Sequence, residues 1–278
     1  MSAPDLSAAI EMAVCTDPGK VRGNNEDSVL ANAKLGLAVL ADGMGGYNAG
    51  EVASAMATAV LGSELDHAFA ERPPHERADG ETHACAMLRD VISRTNAAIF
   101  HAAHSQPKYA GMGTTLVAVQ FYDDRLAVAH VGDSRLYRWR DGELAQLTRD
   151  HSFLQEQIDS GLLTVQQARL SQNKNLVTRA LGVEDAVETE IHEYPVLPGD
   201  VYLLCSDGLN DMVDDEEIAL AVGAFAANLP LCAEQLVQMA NDNGGRDNVS
   251  VILAKVKEAF PARGASTGWL QRMQTWFK

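Results

Sequence analysis

Short apolar runs and stretches with a helical repeat follow one another irregularly along this chain. Leu35–Leu40, Thr115–Phe121, Leu126–His130, Val201–Leu204 and Val249–Val256 are brief, apolar and β-prone, and predict strands. Glu51–Asp66 and Cys85–His104 place apolar residues near the 3.6 period among good helix formers, and predict helices. Pro73-Pro74 and mixed charges make Ala70–Thr82 a solvated connection between them. Tyr122-Asp123-Asp124-Arg125 separates two strands as a hairpin turn. Phe153–Leu170 predicts a short polar helical stretch, broken by Ser171–Asn175. Asp214–Val222 and Cys232–Asn241 add helices before a final strand. Strands, then paired helices, then strands again do not form a regular βαβ alternation. The pattern favours α+β layering over a doubly wound sheet.

Composition narrows the function classes. The 278 residues can bury one large core or two small ones. Against 22 basic residues stand 38 acidic ones, a formal net charge of −16, which disfavours nucleic acid and anionic membranes as partners. Cys15, Cys85, Cys205 and Cys232 lie far apart with no C-x-x-C, the usage of a reducing compartment. Met1–Ile10 lacks the basic start and apolar core of a signal peptide, and Ile218–Leu229 is too short to cross a bilayer. The expected location is cytoplasmic.

The placement of aspartates carries the chemistry. Leu37-Ala38-Val39-Leu40 runs into Ala41-Asp42-Gly43-Met44-Gly45-Gly46, and Val201-Tyr202-Leu203-Leu204 runs into Cys205-Ser206-Asp207-Gly208. Ala127–Val131 runs into Gly132-Asp133-Ser134, and Gly244-Gly245-Arg246-Asp247-Asn248 leads into the strand at Val249. A lone Asp-Gly is usually a turn whose carboxylate caps nearby amides. Four carboxylates at the ends of apolar runs, beside glycines that admit close backbone approach, point instead to a hard divalent cation. Upstream, Arg22-Gly23-Asn24-Asn25-Glu26-Asp27 adds a guanidinium fork matched to phosphate oxygens and two further acids.

These segments resemble the metal-dependent Ser/Thr protein phosphatases of type 2C, in their compact bacterial form. RGNNED at 22–27, ADGMGG at 41–46, GMGTTL at 111–116 and VGDSRLYR at 131–138 match in the family's order. LTRDHS at 147–152, VTRALG at 177–182, CSDGLND at 205–211 and GGRDNVSVIL at 244–253 complete the set. The resemblance implies a four-layer α-β-β-α sandwich, with two central antiparallel sheets, over residues 1–258, and a mobile flap at about 151–175. It implies two Mn²⁺ or Mg²⁺ ions held by Asp42, the Gly43 carbonyl, Asp207 and Asp247, with Glu26 and Asp27 acting through water. Asp133 would join Asp207 at a third, weaker metal, Asn248 would support the ligands from behind, and Arg22 would bind the substrate phosphate. Two cations sharing a carboxylate can activate a water for in-line attack on phosphorus. The expected activity is therefore hydrolysis of phosphoserine and phosphothreonine in proteins, opposing a Ser/Thr kinase. Met44 stands where animal members carry a general-acid histidine, so the leaving group's proton is expected from water, with His151 the alternative.

Other classes stay in view. A catalytically silent phosphoprotein binder, a small-molecule phosphatase and a switch on sigma-factor antagonists are all compatible with the scaffold, although the full set of metal aspartates argues against the first. No P-loop, dinucleotide fingerprint, cysteine-phosphatase loop or complete calcium loop is present. His101 and His104 read as a surface pair. Residues 259–278 read as a linker and a short amphipathic helix. Trp269, Leu270, Met273, Trp276 and Phe277 lie on its one face, which is expected to dock on its own domain or a protein partner.

Overall fold

A computed structural model describes residues 5–46, 49–169, 171 and 176–262. In chain order they form β1 (Ile10–Asp17), β2 (Asp27–Asn32), β3 (Leu37–Met44), α1 (Ala49–Glu71), β4 (Arg77–Ala78), β5 (Glu81–Thr82), α2 (His83–Ser105) and β6 (Gly113–Thr114). Next come β7 (Leu116–Tyr122), β8 (Arg125–Val131), β9 (Arg135–Arg140), β10 (Glu143–Gln146), α3 (Phe153–Asp159), α4 (Val165–Arg169) and β11 (Glu190–Pro195). Last are β12 (Val201–Cys205), α5 (Asp207–Asn210), α6 (Asp215–Phe225), α7 (Leu229–Asp242) and β13 (Val249–Val256).

Two antiparallel sheets, ordered β1-β13-β12-β9-β10 and β11-β8-β7-β3-β2, stack face to face. Alternation along single strands assigns the layers. Ala38 and Leu40 of β3, Val117 and Val119 of β7, Tyr202 and Leu204 of β12, and Ile252 and Ala254 of β13 fill the space between the sheets. Their neighbours Leu37, Val39 and Ala41 face outward under α1 and α2. Leu203, Cys205, Val251 and Leu253 face outward under α6 and α7. The result is the α-β-β-α sandwich, and strands buried on both faces explain the uninterrupted apolar runs.

Local chemistry sets the element ends. Thr82 caps α2 by accepting from the Cys85 N–H, and Asp214 and Glu217 form a reciprocal capping box on α6. Asp123 and Asp124 both take positive φ, 45° and 54°, making the two-residue primed turn that joins β7 to β8.

Some expectations need correction. The connection 70–82 contains the β4–β5 hairpin, and α1 runs on to Glu71. The expected helical stretch from Phe153 is two short helices as far as Arg169, α3 and α4, because Gly161 at φ 74° turns the chain between them. The start of the expected linker is fastened to the domain: the Phe260 and Ala262 N–H groups donate to Asp124 and Asp123, and Phe260 packs on the inter-sheet core. The amphipathic helix expected within 259–278 lies outside the described residues.

Candidate active site

The sheet ends nearest the Asp-Gly turns converge. In the β2–β3 register Asp27 stands directly opposite Asp42. The other sheet joins them through Ser206, whose hydroxyl donates to Asp27 Oδ2 at 2.8 Å. Asp207 opens α5 just beyond β12, Asp247 lies two residues before β13, and Asp133 follows β8. Two glycines make this closeness feasible. A Cβ on Gly43 would lie 2.2 Å from the Gly50 carbonyl oxygen, and one on Gly208 would lie 1.9 Å from that of Asn248. Only glycine fits between these backbones.

Charge is concentrated here against its own repulsion. Burial lifts the Asp42 carboxyl well above the usual carboxylate range, and Asp27, Asp207, Asp133 and Asp247 push it further. Burial does the same to Asp207, reinforced by Asp133, Asp211, Asp247 and Asp27. Asp133, 7% exposed, is pushed up to about 7 by burial and then by Asp150. Asp27 is raised by burial against hydrogen bonds from Ser250, Ser206 and Asp42, and Glu26 is raised by burial against the attraction of Arg22. Asp27 Oδ1 and Asp207 Oδ1 are buried with no hydrogen-bond partner. An all-oxygen donor set with orphaned carboxylate atoms is the chemistry of a hard-cation site.

Arg22 reaches Asp247 rather than the acids of its own segment: its Nη2 donates to Asp247 Oδ2 at 2.6 Å, a bond that raises the guanidinium's already high pKa. The side chain remains half exposed. Asn248 organises the loop beneath. Its Oδ1 accepts the Glu26 N–H at 2.8 Å, while its Nδ2 donates to the carbonyls of Pro18 and Asn24. Glu26 in turn accepts at its backbone carbonyl from the Gly43 N–H and the Ser54 hydroxyl.

Three buried hydroxyls were not singled out from the sequence. Thr114 Oγ1 donates to the Asp42 carbonyl, Thr115 Oγ1 accepts the Asp42 N–H, and Thr115 bonds Ser134 at 2.7 Å. They fix the Asp42 backbone from both sides. Their only trace in sequence was membership of the GMGTTL and VGDSR segments.

His151 is not placed to donate a proton at the cluster. Its ring is 2% exposed, Nδ1 accepts the Gly132 N–H at 3.1 Å, and Nε2 donates to Glu190 Oε1 at 3.1 Å. Burial lowers its pKa against that bond, keeping the ring neutral. With His130 and Glu190 it forms a second donor group, whose ligand atoms lie within 4.8 Å of one another. The two imidazoles stack at 4.7 Å and 21°. Lone pairs in near-parallel offset planes do not converge on one ion, and His130 Nε2 already bonds the Arg149 carbonyl. This group is a hydrogen-bonded latch. Beside it the Phe153 N–H donates to the Leu176 carbonyl and the Thr178 N–H to the His151 carbonyl.

The fold and the clustered aspartates define an α-β-β-α sandwich with an all-oxygen, hard-cation type of centre at one end. The protein phosphatase 2C family model matches residues 21–253, and the chain belongs to that family. It is 41% identical over 253 residues to the serine/threonine protein phosphatase PstP of Mycobacterium tuberculosis, covering 90% of this chain and 46% of that protein. The chain therefore spans about half the length of that relative. It is 37% identical over 254 residues to the serine/threonine phosphatase stp of Listeria monocytogenes, covering 90% of this chain and 98% of that protein. A crystal structure of the PstP catalytic domain in complex with two manganese ions superposes with a TM-score of 0.78 at 40% identity, over 90% of this chain and 99% of that one.

Proposed function

We propose that this protein is a phosphoric monoester hydrolase that removes phosphate from phosphoserine and phosphothreonine in proteins, acting in the cytoplasm opposite a Ser/Thr kinase. The observation that carries the reading is the knot of buried carboxylates from both sheets, with orphaned oxygens on Asp27 and Asp207, in a chain of the 2C family. Asp42, the Gly43 carbonyl, Asp207 and Asp247 would hold two Mn²⁺ or Mg²⁺ ions, Glu26 and Asp27 would act on them through water, and Asp133 with Asp207 would hold a third. When bound, the ions supply an activated water and neutralise charge on the phosphoryl oxygens.

The remaining work falls to the chain itself. Arg22 orients the phosphate: a guanidinium has five donors, so one edge can stay on Asp247 while another meets a phosphoryl oxygen. Asn248 and the Thr114, Thr115 and Ser134 hydroxyls keep the ligand backbone from relaxing under mutual repulsion. Met44 offers no proton and His151 is engaged at both ring nitrogens, so the leaving alkoxide is protonated by water. In the expected flap at about 151–175, Ser152, Leu154, Gln155, Ile158 and Ala168 line the cleft.

The test is turnover of a phosphothreonine peptide with Mn²⁺, with EDTA, and with Asp207→Asn. Turnover that requires both Mn²⁺ and Asp207 supports the reading. Turnover indifferent to either overturns it, and tight phosphopeptide binding without turnover would make the protein a silent binder.

A further inference from the structure

The His151 latch and the carboxylate cluster meet at one residue, Gly132. It follows β8 at φ 106°, and a Cβ there would lie 2.7 Å from the Thr115 side chain, which accepts the Asp42 N–H. From the other side His151 bonds both backbone groups of Gly132. The His151 N–H donates to the Gly132 carbonyl at 2.9 Å, and the Gly132 N–H donates to His151 Nδ1 at 3.1 Å. The next residue is Asp133, which lines the cleft with Asp207 and is the acid whose charge acts most strongly on it. The imidazole has one usable tautomer. A backbone N–H only donates, so Nδ1 is bare and the proton sits on Nε2, where the Glu190 carboxylate accepts it at 3.1 Å. Glu190 is the β11 residue paired with His130 of β8, and Arg179 lies 3.8 Å from the same carboxylate oxygen.

We propose that His151 is a positioning residue: Glu190 fixes its tautomer, and its bare Nδ1 holds the Gly132 N–H so that the Asp133 carboxylate faces Asp207 at the place of the third, weaker ion. The inference rests on the metal-dependent phosphatase reading above and concerns the chain's own support for that ion. Asp133 acts on Asp207 as a like charge, so the pair parts unless the backbone restrains it. Gly132 admits the close approach to Thr115 but, having no side chain, supplies no restraint of its own. Two ties hold the chain after Asp133: the bond between Ser134 and Thr115, and the Arg135–Asp150 pair. His151 supplies the tie before it. The imidazole thus acts one peptide away from the ion and never touches it, as supports behind a ligand commonly do.

The test compares His151→Leu, which fills space and has no acceptor, with His151→Asn, whose Oδ1 stands near the place of Nδ1 but is too short to reach Glu190. Mn²⁺ binding is followed by calorimetry, and exchange of the Gly132 amide by NMR in EDTA, so neither readout depends on turnover. His151→Leu is expected to weaken the weakest Mn²⁺ site by about 10-fold or more, leave the tighter two within about twofold, and speed Gly132 exchange by about 10-fold or more. His151→Asn should keep these values within about threefold of the wild type. Imidazole spectra of the wild type in EDTA should show the Nε2–H tautomer at His151, a measurement that needs no variant. An Nδ1–H tautomer, a wild type that binds only two ions, or a Leu variant matching the wild type overturns the inference. So does an Asn variant as impaired as the Leu variant, because that is the signature of lost packing on His130. Phosphothreonine-peptide turnover by the wild type alongside any of these results leaves the phosphatase reading standing. No turnover with Mn²⁺ bound overturns that reading, and with it this inference.

Discussion

Two regions of this molecule bury carboxylates, and they do so in opposite ways. Asp200, 1% exposed, sits at the β11–β12 corner with everything it needs. Arg140 grips it through two bonds of 2.6 Å, and the Leu197 N–H and the Tyr202 hydroxyl complete its shell. At the other end of the sandwich Asp27, Asp42, Asp133 and Asp207 gather together, while the nearby cations are spoken for: Arg22 pairs with Asp247 and Arg135 with Asp150. A buried charge supplied with its counter-ion by the chain is architecture. A buried charge left without one is a request for something the chain does not contain.

The contrast can be broken at either end. The largest effect belongs to Asp42→Asn, which is expected to reduce Mn²⁺-dependent phosphopeptide turnover by about a thousandfold or more. The same substitution should raise the melting temperature measured in EDTA, because it removes a carboxyl whose ionisation burial and the neighbouring acids oppose. A variant that loses activity and metal-free stability together would contradict this account. Asp200→Asn should do the reverse. With half-buried Arg140 left without its counter-charge, about 3 kcal/mol of unfolding free energy should go in urea titrations, while the folded fraction keeps its specific activity.

Asn248→Ala comes next in size. It deletes the hydrogen bonds to Glu26, Pro18 and Asn24, so Mn²⁺ affinity by calorimetry should weaken by about 10- to 100-fold. Equal affinity would show that the loop holds itself. The smallest effect is a pH dependence. Asp133 has its folded-state pKa raised to about 7, so the folded chain binds more protons than the unfolded one between about pH 4 and that value. The metal-free protein should therefore lose stability as pH rises through this window, with a melting temperature about 5 °C lower at neutral than at mildly acidic pH. Saturating Mn²⁺ should flatten the slope, and a flat profile in EDTA would argue that Asp133 is well solvated.

Strands with both faces buried were legible in sequence, because β3, β7, β8, β12 and β13 read as continuous apolar runs. The half-exposed ones were not. β1 shows a mixed burial pattern, β2 is half exposed throughout, and β9, Arg135–Arg140, carries three arginines in six residues. Two of those arginines become intelligible only beside their distant partners, Asp150 and Asp200. The site divided along the same line. Asp-Gly pairs at the ends of apolar runs announced themselves, since the signal lies within a few adjacent residues. The hydroxyls of Thr115 and Ser206 did not, because nothing local separates a strand-end serine from a bridge between two sheets. Arg22 was identifiable by type, but its bond to Asp247 spans 225 positions and no spacing rule reaches that far.

The pairing of β1 with β13 along eight residues also governs when the carboxylate cluster can assemble. During synthesis Arg22, Glu26, Asp27 and Asp42 leave the ribosome early, whereas Asp247 and Asn248 follow some two hundred residues later. β13 is hydrogen-bonded to both β1 and β12, so neither the sheet nor the carboxylate cluster can close before it arrives. A nascent chain that lacks β13 carries Arg22, Glu26, Asp27 and Asp42 but no closed cluster. Closure of the cluster then marks the arrival of β13 in the sheet.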